Sequence, residues 1–419
     1  MASDFCRLGD LVSIKHGWPF KSELFSEELT GKPILVNIGN FNYTGGFRFG
    51  STRVKEYRGE YPKEYELVPG DVLLVMTCQT AGGEILGIPG RIPEDGRIYL
   101  HNQRMGKLVM RQPDKVDRDY LYYLFISPKF NRHLFDTASG TKILHTSPAR
   151  IEAFSVSLPP LLEQRHIAAL LRSLDEKIDL NQRMNETLEA IARAIFKSWF
   201  VDFDFSTTSP GNFQLTDLVQ IAEIIDCLHS KKPDRQQTGK PLLQLWNIRD
   251  DGLMDMTDTY FISERDYELW ISRMEARQGD CVITNVGRVA AIAQVPAGVR
   301  AAMGRNMTGL RCRPEYPYPT FLIQALTADA MQEEIALKVD SGTILDSLNV
   351  RSIPHLRLVL PPQDLLRKFE SACRPIRARM ELNIGESHNL ALVRDTLLPK
   401  LMSGAIRIKD AEKIVEAHA

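Results

Sequence analysis

Short motifs recur along the chain at a fixed interval, and this repetition limits the possible folds more than any other feature. Ser139-Gly140-Thr141 returns as Ser341-Gly342-Thr343, Leu158-Pro159-Pro160 as Leu360-Pro361-Pro362, and Leu180-Asn181 as Leu382-Asn383, an interval of 202 residues each time (139 to 341, 158 to 360, 180 to 382). Nearer the start, Gly31-Lys32-Pro33-Ile34-Leu35 is echoed by Gly239-Lys240-Pro241-Leu242-Leu243, and Val68-Pro69-Gly70-Asp71-Val72 by Arg277-Gln278-Gly279-Asp280-Cys281. Motifs repeated in one order imply two copies of one folding unit. At 419 residues the chain is long enough for each copy to bury its own core.

Both copies have the same layout. A Gly- and Pro-containing segment carries short apolar runs bounded by turn residues, such as Asp71-Val72-Leu73-Leu74-Val75-Met76 and Cys281-Val282-Ile283-Thr284, which predict strands. Short helices are predicted over 119–125 and 320–328. Leu-Pro-Pro then stops any preceding helix and opens a new one. From 161 to 200 there is no glycine, and Ile167, Leu171, Leu174, Ile178, Asn181, Asn185, Leu188, Ala192, Ile195 and Trp199 alternate by four and three, the heptad seam of a coiled coil. One interval later, Phe369, Cys373, Ile376, Met380, Asn383, Ser387, Leu390, Arg394, Leu397 and Leu401 repeat it. Pro375 is expected to kink this second helix or delay its start, and Pro399-Lys400 with Ser403-Gly404 to mark its end.

Polar residues interrupt both seams at the same central places: Asn181 and Asn185 in one, Asn383 and Ser387 in the other. In an antiparallel pair centre meets centre, so these side chains can satisfy one another and fix the register. The alternative is that Asn181 and Asn383 face solvent at a local bend. About 40 residues give roughly 60 Å of rod, close to two turns of B-DNA at about 34–36 Å each. A rod joining two similar heads sets the distance between two binding surfaces.

Composition narrows the classes. The net charge of −1 does not by itself point to nucleic acid. A local cationic face can still be offset by acidic helices, and partner subunits can supply phosphate contacts. Cys6, Cys78, Cys227, Cys281, Cys312 and Cys373 form no CxxC pair, and the nine histidines show no ligand spacing. No metal site and no disulfide scaffold is expected, which fits a reducing cytosol. The start of the chain lacks a basic, then apolar, leader, and no apolar run reaches the roughly 18–20 residues of a membrane span.

The segment Leu158-Pro159-Pro160-Leu161-Leu162-Glu163-Gln164-Arg165-His166-Ile167, with Leu174-Asp175-Glu176-Lys177-Ile178, Asn181 and Phe196-Lys197-Ser198-Trp199-Phe200, closely resembles the central conserved region of type I restriction enzyme specificity subunits. Leu397-Leu398-Pro399-Lys400-Leu401-Met402-Ser403-Gly404 resembles that family's second conserved region. The resemblance implies two target-recognition domains, each reading one half of a split double-stranded DNA target, spaced by an antiparallel coiled coil. It also implies a prokaryotic, cytoplasmic complex in which two methyltransferase subunits dock on the conserved helices and restriction/translocase subunits join. Docking is expected at Glu163, Gln164, Arg165, Trp199 and Phe200. Leu365-Leu366-Arg367 stands where the first helix has Glu163-Gln164-Arg165, so the second helix does not repeat that surface.

No chemistry of its own, and no cofactor, is expected of the chain. The Pro-Pro pairs follow leucine, not the Asn/Asp of an adenine methyltransferase, and no GxxxxGK[ST] phosphate loop occurs. A nuclease-like pattern forced from Pro113-Asp114 and Asp175-Lys177 falls in the coiled-coil segment. For base reading, amide and cationic side chains on turn-rich loops are the candidates. They are Gln79 and Thr80; Asn102, Gln103 and Arg104; Thr141, Lys142 and His145; and, in the second copy, Asn285, Arg288, Arg305, Asn306 and Thr343. The bland alternative is that these cap turns or solvate loops. Tyr43, Phe47, Phe49 and Tyr57 suit a core or hairpin better than thymine methyls, and Lys231, Lys232 and Arg235 suit either phosphate or solvent.

The expected architecture is α/β (α+β): target-recognition domains over 1–157 and 206–358, long helices over 158–205 and 359–419, and a pseudo-twofold repeat. Two other readings stay open, a specificity subunit of a modification-only methyltransferase complex and a coiled-coil scaffold without a DNA role.

Overall fold

The computed structural model describes residues 5–49, 54–202, 213–340 and 346–417. The chain divides into two compact units, residues 1–176 with 390–419, and residues 177–389. The division falls inside both long helices, Leu161–Phe200 and Gln363–Met402.

In the first unit, a four-stranded antiparallel sheet runs in the order Val12–His16, Met105–Met110, Val72–Val75, Pro89–Arg91. The apolar run Val72–Val75 is buried along its whole length, because both of its faces are covered. A second sheet orders Phe25–Ser26, Glu56–Tyr57, Ile34–Leu35, Tyr99–Leu100 and Glu66–Leu67, with Ile34–Leu35 parallel to Tyr99–Leu100. Phe5–Arg7 pairs with Ser155–Ser157. The helix predicted over 119–125 spans Arg118–Ile126. Asp117 caps it, its carboxylate accepting from the N–H groups of Asp119 (2.9 Å) and Tyr120 (3.0 Å). Within this unit the seam residues Ile167, Leu171, Leu174, Leu390, Leu397 and Leu401 are buried. Asp175 accepts from Arg394 Nη1 at 2.6 Å and from the Tyr123 hydroxyl at 2.7 Å, so the residue drawn into the nuclease-like pattern holds the seam instead.

The second unit repeats the topology. Ala222–Asp226, Met307–Cys312, Cys281–Thr284 and Ile292–Gln294 form the same four-stranded antiparallel order. Lys240–Leu243 runs parallel to Arg300–Met303, flanked by Tyr260–Ile262 and Glu275–Arg277. Gln214–Asp217 pairs with Arg357–Leu360, and the helix predicted over 320–328 spans Pro319–Thr327. Among the described residues, the recurring Gly-Lys-Pro and Gly-Asp motifs lead into equivalent strands, Ile34–Leu35 and Lys240–Leu243, Val72–Val75 and Cys281–Thr284, and Leu-Pro-Pro precedes both long helices.

The second unit also holds the polar centre of the paired helices. Partners descend on one helix as residues ascend on the other, which makes the pair antiparallel. Asn181 Nδ2 donates to Ser387 Oγ (3.3 Å) and Glu386 Oε2 (2.8 Å). Asn383 Nδ2 donates to Asn185 Oδ1 (2.7 Å), and Asn185 Nδ2 to the Met380 carbonyl (3.1 Å). Further along, Phe200 meets Phe369 and Phe321, with ring centroids 5.0 and 5.4 Å apart. The amides are buried, not turned to solvent. They satisfy one another only in part: Asn181 Oδ1 and Asn383 Oδ1 are buried without a hydrogen-bond partner. Pro375 does not delay the helix, which starts at Gln363 and continues past it. Pro375 is exposed while its neighbours Cys373 and Ile376 sit in the seam, so seam packing outweighs one lost ladder bond.

Asn383→Leu removes the donor to Asn185 and is expected to destabilise the full chain by about 1–3 kcal/mol, the cost of a buried, unsatisfied polar group. Pairing it with Asn185→Leu should recover most of that loss by replacing the polar layer with apolar packing. Denaturant unfolding of the single and double variants checks this, and a neutral single variant would show that the amide pair carries no weight.

Candidate nucleic-acid interface

In the first unit, several predicted base-reading residues come together around one cleft of about 800 Å³. Gln79, Asn102, Gln103 and Arg104 line it, joined by Asn37, Tyr43, Arg48 and Lys55. The lining holds three cations and no acid, a charge balance suited to a phosphate backbone.

The loop after Tyr99–Leu100 is built to present two of these side chains. Asn102 is nearly buried. Its Nδ2 donates to Asn37 Oδ1 (3.1 Å), and its Oδ1 accepts from the Arg104 N–H (3.3 Å). It therefore braces the turn, and Gln103 and Arg104 beside it are exposed. Gly17 allows this close approach: a Cβ there would lie 2.2 Å from the Asn102 carbonyl oxygen. His101 anchors the loop from inside, Nε2 lying 2.9 Å from the Met105 carbonyl, and burial pushes its pKa down to about 4. Lys107 and His16 push the same way, and Asp71 opposes them.

Strand Thr77–Cys78 leads to Gln79 and pairs with Leu144–His145, so two candidate loops are neighbours. His145 Nδ1 lies 3.1 Å from Thr77 Oγ1. Thr141 and Lys142 are exposed in the hairpin closed by the Ser139–His145 bridge. Gly140, at φ +101°, makes that hairpin possible, because a Cβ there would strike the Ile143 carbonyl. Thr80 is exposed but its hydroxyl is engaged by Glu84.

In the second unit the candidates separate. Arg305 is exposed, and Asn306 beside it is half-buried in the left-handed region at φ +63°. Asn285 and Arg288 are corrected to structural roles. Asn285 is buried, donating to the Leu348 carbonyl (3.2 Å) and accepting from Thr308 Oγ1 (3.1 Å). Arg288 is drawn inward onto the Leu245 and Ile248 carbonyls and pairs with Asp250. Thr343 lies outside the described residues.

Two expected docking residues are likewise committed to the interior. Gln164 is fully buried, donating to the Lys115 (3.1 Å) and Pro159 (2.8 Å) carbonyls and accepting from the Asp117 N–H (2.9 Å). Phe200 is buried in the aromatic cluster of the second unit. Glu163 and Arg165 are exposed and Trp199 is half-buried. Phe47 and Phe49 stack between Phe41 and Tyr99, and Tyr57 is buried, as aromatic hairpin partners should be; Tyr43 is half-exposed at the cleft. Lys232 lies 4.1 Å from the Tyr260 ring centroid, so part of the basic run packs on an aromatic face. Arg48, Lys55 and Asn37 escaped the sequence reading, because nothing local marks them until the sheet brings their loops together.

Residues 3–190 match the family model of the type I restriction modification DNA specificity domain. The chain is 24% identical over 320 residues to the type I restriction enzyme MjaIX specificity subunit of Methanocaldococcus jannaschii, covering 71% of each chain. It is 23% identical over 392 residues to the EcoBI specificity subunit of Escherichia coli, covering 87% of this chain and 77% of that one. Its fold is similar to the crystal structure of a type I restriction–modification system S subunit from M. genitalium, with TM-score 0.60, 16% identity and 96% of both chains covered. The match to a type I DNA specificity domain thus falls in the first half of the chain, and the relatives it resembles along more of its length are type I restriction enzyme specificity subunits. Among the described residues no helix is long and apolar enough to cross a membrane.

The depressed His101 pKa has a stability consequence. Its folded value near 4 lies below the unfolded value of about 6.5, so protons favour the unfolded chain. The stability it contributes is present above about pH 6.5 and lost as pH falls towards 4, on the order of 3 kcal/mol in all. Thermal unfolding across that window should show a smaller acid loss for His101→Gln than for the parent chain. Equal losses would mean His101 is not the sensitive group.

Proposed function

We propose that the chain is the DNA-sequence-reading subunit of a type I restriction–modification complex, working in the cytoplasm of a prokaryote. It reads a split double-stranded target, each recognition domain taking one half-site, and the paired helices set the gap between them. The acid-free cleft that gathers amides and cations on turn-built loops carries this reading, and the family comparison supports it. Gln79, Gln103, Arg104, Arg48 and Lys55 contact one half-site, with Thr141, Lys142 and His145 beside them. Arg305 and Asn306, with Thr343, serve the other. Asn102 holds the first reading loop in shape, as do Asn285 and Arg288 in the second domain. Arginine suits guanine and glutamine suits adenine, while lysine and arginine also hold phosphate.

The chain supplies recognition and carries out no reaction of its own. Two methyltransferase subunits bind it through the exposed faces around Glu163, Arg165 and Trp199, and restriction/translocase subunits complete the nuclease. The proposed domains are those of the sequence reading, 1–157 and 206–358, with the long-helix segments 158–205 and 359–419 as spacer and docking surface.

Co-expression with a partner methyltransferase followed by genome-wide mapping of methylated adenines tests this. The expected product is a bipartite motif with one fixed gap. Arg104→Ala should relax one half-motif by about 1–3 kcal/mol of discrimination and leave the other intact. A single continuous motif, or equal loss in both halves, would overturn the reading.

A further inference from the structure

Strand Ala222–Asp226 ends in the second unit at a short turn whose residue types suit a metal better than a loop. Asp226 is in register with Thr308, and the next N–H, of Cys227, donates to the Met307 carbonyl at 3.2 Å. There a carboxylate oxygen of Asp226, the Cys227 Sγ and an imidazole nitrogen of His229 all lie within 4.8 Å of one another. His229 Nε2 is already 2.8 Å from Asp226 Oδ2. Independently, Asp226 Oδ1 is buried with no hydrogen-bond partner, a state that is costly for a carboxylate oxygen. Burial pushes the Cys227 thiol up and Asp226 adds to the rise, against the Met307 and Asn306 N–H groups, so a metal ion must itself displace the thiol proton.

We propose that Asp226, Cys227 and His229 bind one divalent transition ion of the zinc class. One sulfur, one nitrogen and one oxygen donor are a zinc-type set, and the thiolate disfavours magnesium and calcium. Tetrahedral bonds of about 2.0–2.3 Å need donors about 3.3–3.8 Å apart, so the turn closes by about 1 Å on binding. The exposed His229 side chain is free to make that movement. The ion takes the place of the Cys227 thiol proton, which passes to solvent, and of the hydrogen bond now joining His229 to Asp226. Arg273 Nη1 donates to the Cys227 carbonyl (3.0 Å) and lies 3.4 Å from Asp226 Oδ2, so it holds the ligands from behind and competes for only one carboxylate oxygen. Three protein ligands leave the fourth position of a tetrahedral ion to water. The site does not depend on the DNA-reading proposal, because its occupancy is measured without DNA.

The test is Co²⁺ titration of the full chain after chelator treatment, followed by Zn²⁺ competition. The expected result is one Co²⁺ per chain with a thiolate-to-cobalt charge-transfer band that Zn²⁺ abolishes. Cys227→Ser should lose the band. His229→Ala, a change at an exposed side chain that leaves the core intact, should weaken binding by roughly tenfold or more, since loss of even an outer-shell partner costs 10–100-fold. Absence of a thiolate band in the parent chain, or a band unchanged in both variants, would overturn the assignment.

Discussion

The buried hydrogen bond from Asn383 to Asn185 is the contact on which the arrangement of the long helices turns. Leucine and isoleucine along a heptad seam drive two helices together but tolerate sliding by a turn. Two amides that must meet do not, because a slip leaves both without partners in a dry interface. In the first unit Arg394 does similar work on Asp175, which is also held by Tyr123. These polar contacts cost stability relative to an apolar seam and fix one register in exchange.

The duplication is deliberately imperfect at these places. The repeat interval matches Asp175 with Arg377 and Arg394 with Ala192, so the two helices carry different charges at equivalent seam positions. Among the described residues, Arg377 donates to no carboxylate of the other long helix as Arg394 does. It is buried, bonded to the Gly252 carbonyl, with Glu381 at 3.9 Å. Each long helix is therefore fitted to the other and not to a copy of itself, which disfavours pairing of like helices.

Much of the architecture was legible because it rests on periodicity. The heptad seams and the Leu-Pro-Pro helix starts are local patterns, and each predicted an element that forms. At Pro375 the helix does not wait to begin, because packing along forty residues of helix outweighs one local rule. Site residues were harder to read. Gln103 and Asn102 look equally suited to base contact in sequence, yet one is exposed and the other is consumed by Asn37 and the Arg104 N–H. The family resemblance marks Gln164 for docking together with Glu163 and Arg165, but the helix turns it inward onto Lys115 and Pro159. Arg48 and Lys55 join the cleft only through sheet pairing far along the chain, which no short window contains.

The proposed ruler role of the paired helices makes one demand that contacts alone do not. Seven residues inserted in each long helix, at matching seam positions, lengthen the rod by about 10 Å, near three base pairs, and preserve the heptad phase. Methylation mapped in cells carrying that chain should show both half-motifs unchanged and the gap between them altered. An active complex that keeps the original gap would contradict the account.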